Sequence, residues 1–294
     1  MKKIRIVLLI ALTTLVTVSC SILKTENTEE TFLWKVDDGN SHIFLLGSIH
    51  VAKQDMYPLD YRIEEAYRGS DIVAFEIDMT KIDPMSIMKY MTYTDGTKLK
   101  DKISSENYEL VRQKFSAIGM TEAMFANMRP WAAAITLQAN MLQEAGYEKS
   151  LGIDEHFMNK ASTDGKKIRA LETAEYQMGL LSEFDNVGDS FINYTIESSD
   201  GPDAEIDRMI KAWKEGNKDE LLRLLDSTRY EYPEFEAMYE KIIDERNDNM
   251  TIKVEEWLKE DKTIFIVVGA GHIIGEKGII NQLKKKDKYK ITNF

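Results

Sequence analysis

Apolar residues along this chain follow two rhythms. Short unbroken runs, "FLWKV", "HIFLL", "DIVAF", "KKIRAL" and "TIFIVV", read as buried strands. Elsewhere the apolar positions recur every three or four residues. Leu59, Ile63, Ala66 and Tyr67 predict a helix opened by Pro58 and ended near Gly69. Trp131, Ala134, Ile135, Leu137, Met141 and Leu142 predict a longer one with Pro130 in its first turn. "GIDEHFMNKAST" and residues 173–184 give two more, and "GEKGIINQLKKK" the last. From 202 to 259 nearly everything reads helical, with Pro233 restarting the pattern. Asp38-Gly39-Asn40 suits a hairpin turn, because Gly and Asn tolerate positive φ. Strands at 42–46 and 71–77 with a helix between them predict a βαβ unit, parallel and right-handed.

Strands therefore open and close the chain while helices fill its middle. The expected fold class is α/β: a mixed sheet built from N- and C-terminal strands, with a largely helical inserted lobe over about residues 85–260 of a domain spanning 31–294. The 15 methionines read as core filler.

Composition matters most at the N-terminus. "MKKIRIVLLIALTTLVTVSC" has a basic start at Lys2, Lys3 and Arg5 and an apolar stretch from Ile6 to Val18, the layout of an export signal. That stretch is shorter than the about 20 apolar residues a membrane span needs. Cys20, the single cysteine, stands where a bacterial lipoprotein signal is cut, after the lipobox-like Thr17, Val18 and Ser19. Residues 1–19 are expected to be removed, Cys20 lipidated and 20–30 a polar tether. A free buried cysteine or a simple signal-peptidase site is the plainer alternative. The expected location is the bacterial cell envelope, lipid-anchored; Ser21 fits an outer membrane if the host has two membranes. One cysteine excludes intrachain disulfides and thiolate metal sites. A net charge of −12 argues against nucleic acid. The expected partners are the membrane, through the lipid, and a peptide or small-molecule substrate.

The candidate chemistry stands where the strands run out. Gly47 and then His50 follow the second strand, Glu76 sits near the end of the third, and Glu172 follows "KKIRAL". Gly269, Gly271 and His272 follow the last apolar strand. Ligands of open α/β sheets bind beyond the carboxyl ends of parallel strands. Gly47, Gly269 and Gly271 would permit a sharp turn, through positive φ or close backbone approach, and aim each histidine over the sheet edge. Glu76 interrupts an apolar run and needs a partner, either at a site or in a structural ion pair. Glu172 and Asp154 could act in chemistry or simply favour a helix N-terminus. His42 reads as structural. His156 lacks the second histidine of a zincin helix, since residue 160 is Lys. Nucleophile-elbow, phosphate-loop and dinucleotide motifs are missing.

"LLGSIHVAKQDMYPL", "DIVAFEID", "MRPWAAAITL", "LGIDEHFMNKA", "LETAEYQ", "ERNDNM" and "VVGAGHIIGEKG" occur in the order that resembles the TraB/GumN family, which includes Tiki-type metalloproteases. More distant relatives include erythromycin esterases and ChaN-like haem-binding lipoproteins. The resemblance spans residues 32 to 294 and implies a metal-dependent hydrolase whose two Gly-x-x-His motifs face one site. It matches His50 and His272 to the motif histidines, Glu76 to the acidic residue after the next strand, and Arg246-Asn247 to a polar pair before the last strand. On this reading His50, Glu76 and His272 hold a divalent manganese, cobalt or zinc ion, and metal-activated water attacks a peptide or ester carbonyl. Glu172 or Asp154 serves as general base or orienting group. Arg246 with Asn247 steadies the oxyanion, or Arg246 only neutralises the carboxylates. The rivals are a lipoprotein that binds haem or another ligand without catalysis, and a metal-free hydrolase using histidine as base.

Overall fold

The computed structural model describes residues 30–197 and 201–294. The expected signal segment, Cys20 and nearly all of the tether lie outside the described residues. The six strands are β1 (Leu33–Asp37), β2 (His42–Ser48), β3 (Ile72–Phe75), β4 (Lys167–Ala170), β5 (Ile264–Gly269) and β6 (Lys290–Asn293). They form one mixed sheet in the order β4-β3-β5-β2-β1-β6. This is the expected α/β class; five strands come from the two ends of the chain, while β4 comes from inside the 85–260 stretch expected to be a helical lobe.

β1 and β2 pair antiparallel across the expected hairpin, with Asp37 opposite His42. β2, β5, β3 and β4 all run parallel. The expected βαβ unit is present, but β5 lies between its two strands. Each central strand is covered on both faces, so its sequence runs apolar without alternation: all four residues of β3 are buried, as are the first five of β5. This placement aligns the two Gly-x-x-His strand ends side by side, with Gly47 paired to Val268 and Ser48 to Gly269.

Most expected helices form within a few residues of their predicted bounds. Tyr61–Arg68 starts later than Pro58, because the Asp60 side chain accepts from Arg62 N and caps it there. Pro130 is the first residue of Pro130–Glu144. β6 was not foreseen, since "KITN" is a short edge strand with no buried residue and carries little apolar signal. The core joins Phe32, Leu45, Val73, Phe157, Trp213, Met250 and Ile266 around the sheet, while Phe115, Phe125, Leu137 and Ile192 gather in a separate cluster among the helices. Not every methionine is core filler: Met79, Met85, Met88 and Met124 are exposed, and the helix Pro84–Met91 buries none of its residues. Among the described residues no helix is long and apolar enough to cross a membrane.

Candidate active site

A cleft of about 200 Å³ opens beyond the carboxyl ends of β2, β3 and β5, lined by Ser48, His50, Glu76, Asp154 and Gln177 among others. Its floor depends on two glycines, through close approach and not through positive φ. A Cβ on Gly47 would stand 3.1 Å from the Ala270 Cα, where the chain leaving β5 packs on the end of β2. A Cβ on Gly269 would stand 3.3 Å from Glu76 Oε1, 3.6 Å from His272 Cδ2 and 3.7 Å from His50 Nε2. Both imidazoles and the carboxylate thus surround one bare α-carbon. Gly271 has no such role, since its Cβ would meet only Leu225 Cδ1 at 3.4 Å.

His272 is 5% exposed, and its Nδ1 lies 2.7 Å from Asn247 Oδ1. Asn247 Nδ2 donates to the Lys277 carbonyl at 3.1 Å, which turns the amide oxygen towards the imidazole. An amide oxygen only accepts, so Nδ1 carries the proton and Nε2 is left bare, 3.8 Å from Glu76 Oε1. Burial drives the His272 pKa down to about 4; the nearby Glu76 charge opposes this and Arg246 adds to it. The ring is therefore neutral at neutral pH.

Glu76 follows directly on β3. Its Oε1 accepts from Gly269 N at 2.7 Å, and its Oε2 from Arg246 Nη2 at 2.6 Å and Gln177 Nε2 at 3.1 Å. Burial raises its pKa, but the positive fields of His272, Arg246 and His50 and the Gly269 N–H outweigh that and hold it at about 2. Arg246 also reaches Glu172 through Nε at 2.9 Å and the Ile242 carbonyl through Nη1 at 2.9 Å. It opens the helix Arg246–Leu258, directly after the π-helical turn Glu240–Glu245, an irregularity often found at functional positions. Glu172 lies before the Thr173 cap of Ala174–Leu181 and not in the first helical turn; its side chain is tied to Arg246 and Gln177.

His50 stands on the open side of the cleft, with its Nδ1 3.1 Å from Asp154 Oδ1 and 65% of its side chain exposed. Asp154 lies in the first turn of Ile153–Thr163, a helix whose start is fastened by Ile153 N donating to the Ile49 carbonyl at 3.0 Å. Crowding lowers the His50 pKa, but the Asp154 and Glu76 charges outweigh it and raise the value to about 9. Asp154 Oδ1 is buried and accepts no well-directed hydrogen bond among the described residues, so its contact with His50 is chiefly electrostatic. The other histidines stay outside: His42 packs edge-on against Phe44, and His156 lies 3.5 Å from Glu64.

These shifts make stability pH-dependent. His272 has a folded value below its ordinary 6.5, so the unfolded chain binds the extra proton and stability falls as pH drops from 6.5 through 4. The expected loss is about 3 kcal/mol. His50 has the opposite sign: its contribution is present below 6.5 and lost as pH rises through 9, and solvent screening keeps it small. Urea unfolding of chelator-treated protein should be most stable near neutrality. A flat profile between pH 6.5 and 4 would contradict a buried neutral His272.

Two polar side chains of the cleft escaped the sequence reading. Gln177 donates to both Glu76 and Glu172, and its only signal was a polar residue one turn into the helix after Glu172. Ser48 is 3% exposed and its hydroxyl has no hydrogen-bond partner among the described residues. It stands inside the first Gly-x-x-His motif, where attention falls on the histidine.

Residues 32–292 match the model of the TraB/PrgY/gumN family. The chain belongs to that family. Uncharacterized protein YbaP of Escherichia coli (strain K12) is 24% identical over 84% of this chain and 89% of its own length. Its counterpart in Shigella flexneri gives the same values. A protein described as a metalloprotease TIKI homolog, from Amphimedon queenslandica, is 22% identical over 88% of this chain and 61% of that protein. No solved structure matches significantly.

Within this TraB/PrgY/gumN chain the donor types suit a divalent ion of intermediate softness: two imidazoles and a carboxylate. The bare α-carbon of Gly269 leaves space among them. Among the described residues, however, no three His, Cys, Asp or Glu side chains are placed closely enough to hold a metal ion as they stand. The donors fit such an ion in kind, and holding one would require them to draw closer together.

Proposed function

We propose that this protein is a metal-dependent hydrolase, tethered to a membrane through Cys20, that cleaves peptide bonds. The observation that carries the reading is the convergence of His50 Nε2, His272 and Glu76 Oε1 on Gly269. The metalloprotease description of one distant relative points the same way.

A divalent ion held by His50, Glu76 and His272 would supply an acidified water as nucleophile. The protein's own groups do the rest. Asn247 keeps His272 Nε2 bare, and Arg246 with Gln177 holds Glu76 in place. Asp154 orients His50 and is the better placed acid to take a proton, because Glu172 is committed to Arg246 and Gln177. The haem-binding rival fares worse: a cleft of about 200 Å³ is small for haem, given that sites for drug-sized ligands measure about 300–1,000 Å³.

The test is elemental analysis of the full chain in detergent beside its His50→Ala/His272→Ala variant, with a peptide-library cleavage screen. Metal and cleavage are both expected to disappear in the variant. Equal metal content in the two proteins, or none in either after loading, would refute the reading. Gly269→Ala adds a methyl among the three donors and should weaken metal binding on the order of 10–100-fold. Calorimetric titration showing wild-type affinity would place the ion elsewhere.

A further inference from the structure

Among the described residues, one buried hydrogen-bond donor of the cleft is without work. Hydrolysis places negative charge on the carbonyl oxygen under attack, and a preorganised donor there gives much of the rate enhancement in such reactions. Arg246 is not available for it. Its Nη2 serves Glu76 and Glu172, its Nε serves Glu172, and its Nη1 the Ile242 carbonyl. Asn247 is not available either, with Nδ2 on the Lys277 carbonyl and Oδ1 against His272. Gln177 is divided between the two glutamates.

Ser48 remains. It is the last residue of β2, lines the cleft beside His50 and Glu76, and pairs in register with Gly269 on β5. Residues in register on adjacent strands project to the same face of a sheet. The Ser48 side chain therefore rises on the face where a Gly269 Cβ would meet both imidazoles and Glu76. It is 3% exposed, yet its hydroxyl makes no hydrogen bond among the described residues. A buried hydroxyl without a partner costs stability, so its presence at the reacting edge points to a partner that arrives with substrate.

We infer that Ser48 is a catalytic residue whose hydroxyl donates a hydrogen bond to the carbonyl oxygen of the scissile bond as negative charge develops on it. No proton is transferred and no covalent bond to Ser48 forms. This assignment rests on the hydrolase reading above.

The test uses the metal-loaded full chain and the peptide cut fastest from a library of quenched-fluorescence octapeptides. Ser48→Ala should lower kcat on the order of 100-fold, with KM unchanged within about threefold. Its melting temperature should equal or exceed that of the wild type, because an unsatisfied hydroxyl has been removed. Ser48→Thr, which restores a donor, should recover most of kcat. A melting temperature below wild type would make Ser48 structural and overturn the assignment. So would an unchanged kcat in an active enzyme, or a trapped acyl group on Ser48, which would make it the nucleophile. A wild-type chain that cuts no peptide would overturn the hydrolase reading, and the oxyanion role with it.

Discussion

Arg246→Met should destabilise the fold by about 3–5 kcal/mol, the usual cost of removing one partner from a buried charge cluster. The guanidinium is 8% exposed and holds Glu76 at 2.6 Å and Glu172 at 2.8 Å. Those carboxylates, 14% and 5% exposed in their side chains, would otherwise sit together under the sheet edge with no fixed cation beside them. The loss should shrink as pH falls, because Glu76, freed from the Arg246 field that helps hold its pKa at about 2, can then take a proton. Arg246→Lys should recover only part of it, since one ammonium cannot replace a planar fork reaching two carboxylates and a carbonyl. Urea denaturation at pH 7 and pH 5 provides the check. A loss below about 1 kcal/mol at pH 7 would mean that Arg246 does not hold the cluster together.

On the proposed reading, His272→Ala should abolish both metal retention and hydrolysis, because it would remove a donor that is already neutral and held by Asn247. Asn247→Ala should leave the ligand but release its orientation, weakening metal affinity about 10–100-fold. Titration with manganese and zinc separates the two effects. Full metal binding by His272→Ala would remove this histidine from the site. Unchanged affinity in Asn247→Ala would show that the contact from Asn247 Oδ1 to the ring does not set its tautomer.

The split between these residues reflects what a linear pattern can carry. His50 and His272 stood out because each follows an apolar strand through a glycine, and Glu76 because a carboxylate broke an apolar run. Such signals are local. Gln177 and Ser48 gave next to none, since a glutamine in a helix and a serine after a glycine are ordinary until their surroundings are known. Arg246 was legible as a residue of interest, but its donors could not be assigned before Glu76, Glu172 and the Ile242 carbonyl were seen around it. Of the two reasons expected for the turn glycines, positive φ and close backbone approach, the second holds at Gly47 and Gly269. At Gly47 and Gly269 it is the absence of a Cβ that counts, because other atoms occupy the space a side chain would take.

By itself the sequence determined the α/β class, the hairpin, the helical middle and the residues that would end up beyond the strand ends. These follow from apolar periodicity and from turn and cap chemistry, which act over a few neighbouring residues. Only the tertiary structure decided that β5 inserts between β2 and β3, that Ser48 faces Gly269, and that one arginine serves two glutamates. Those outcomes depend on contacts between residues far apart in the chain, where packing and the pairing of buried charges choose among arrangements that local preference leaves equal.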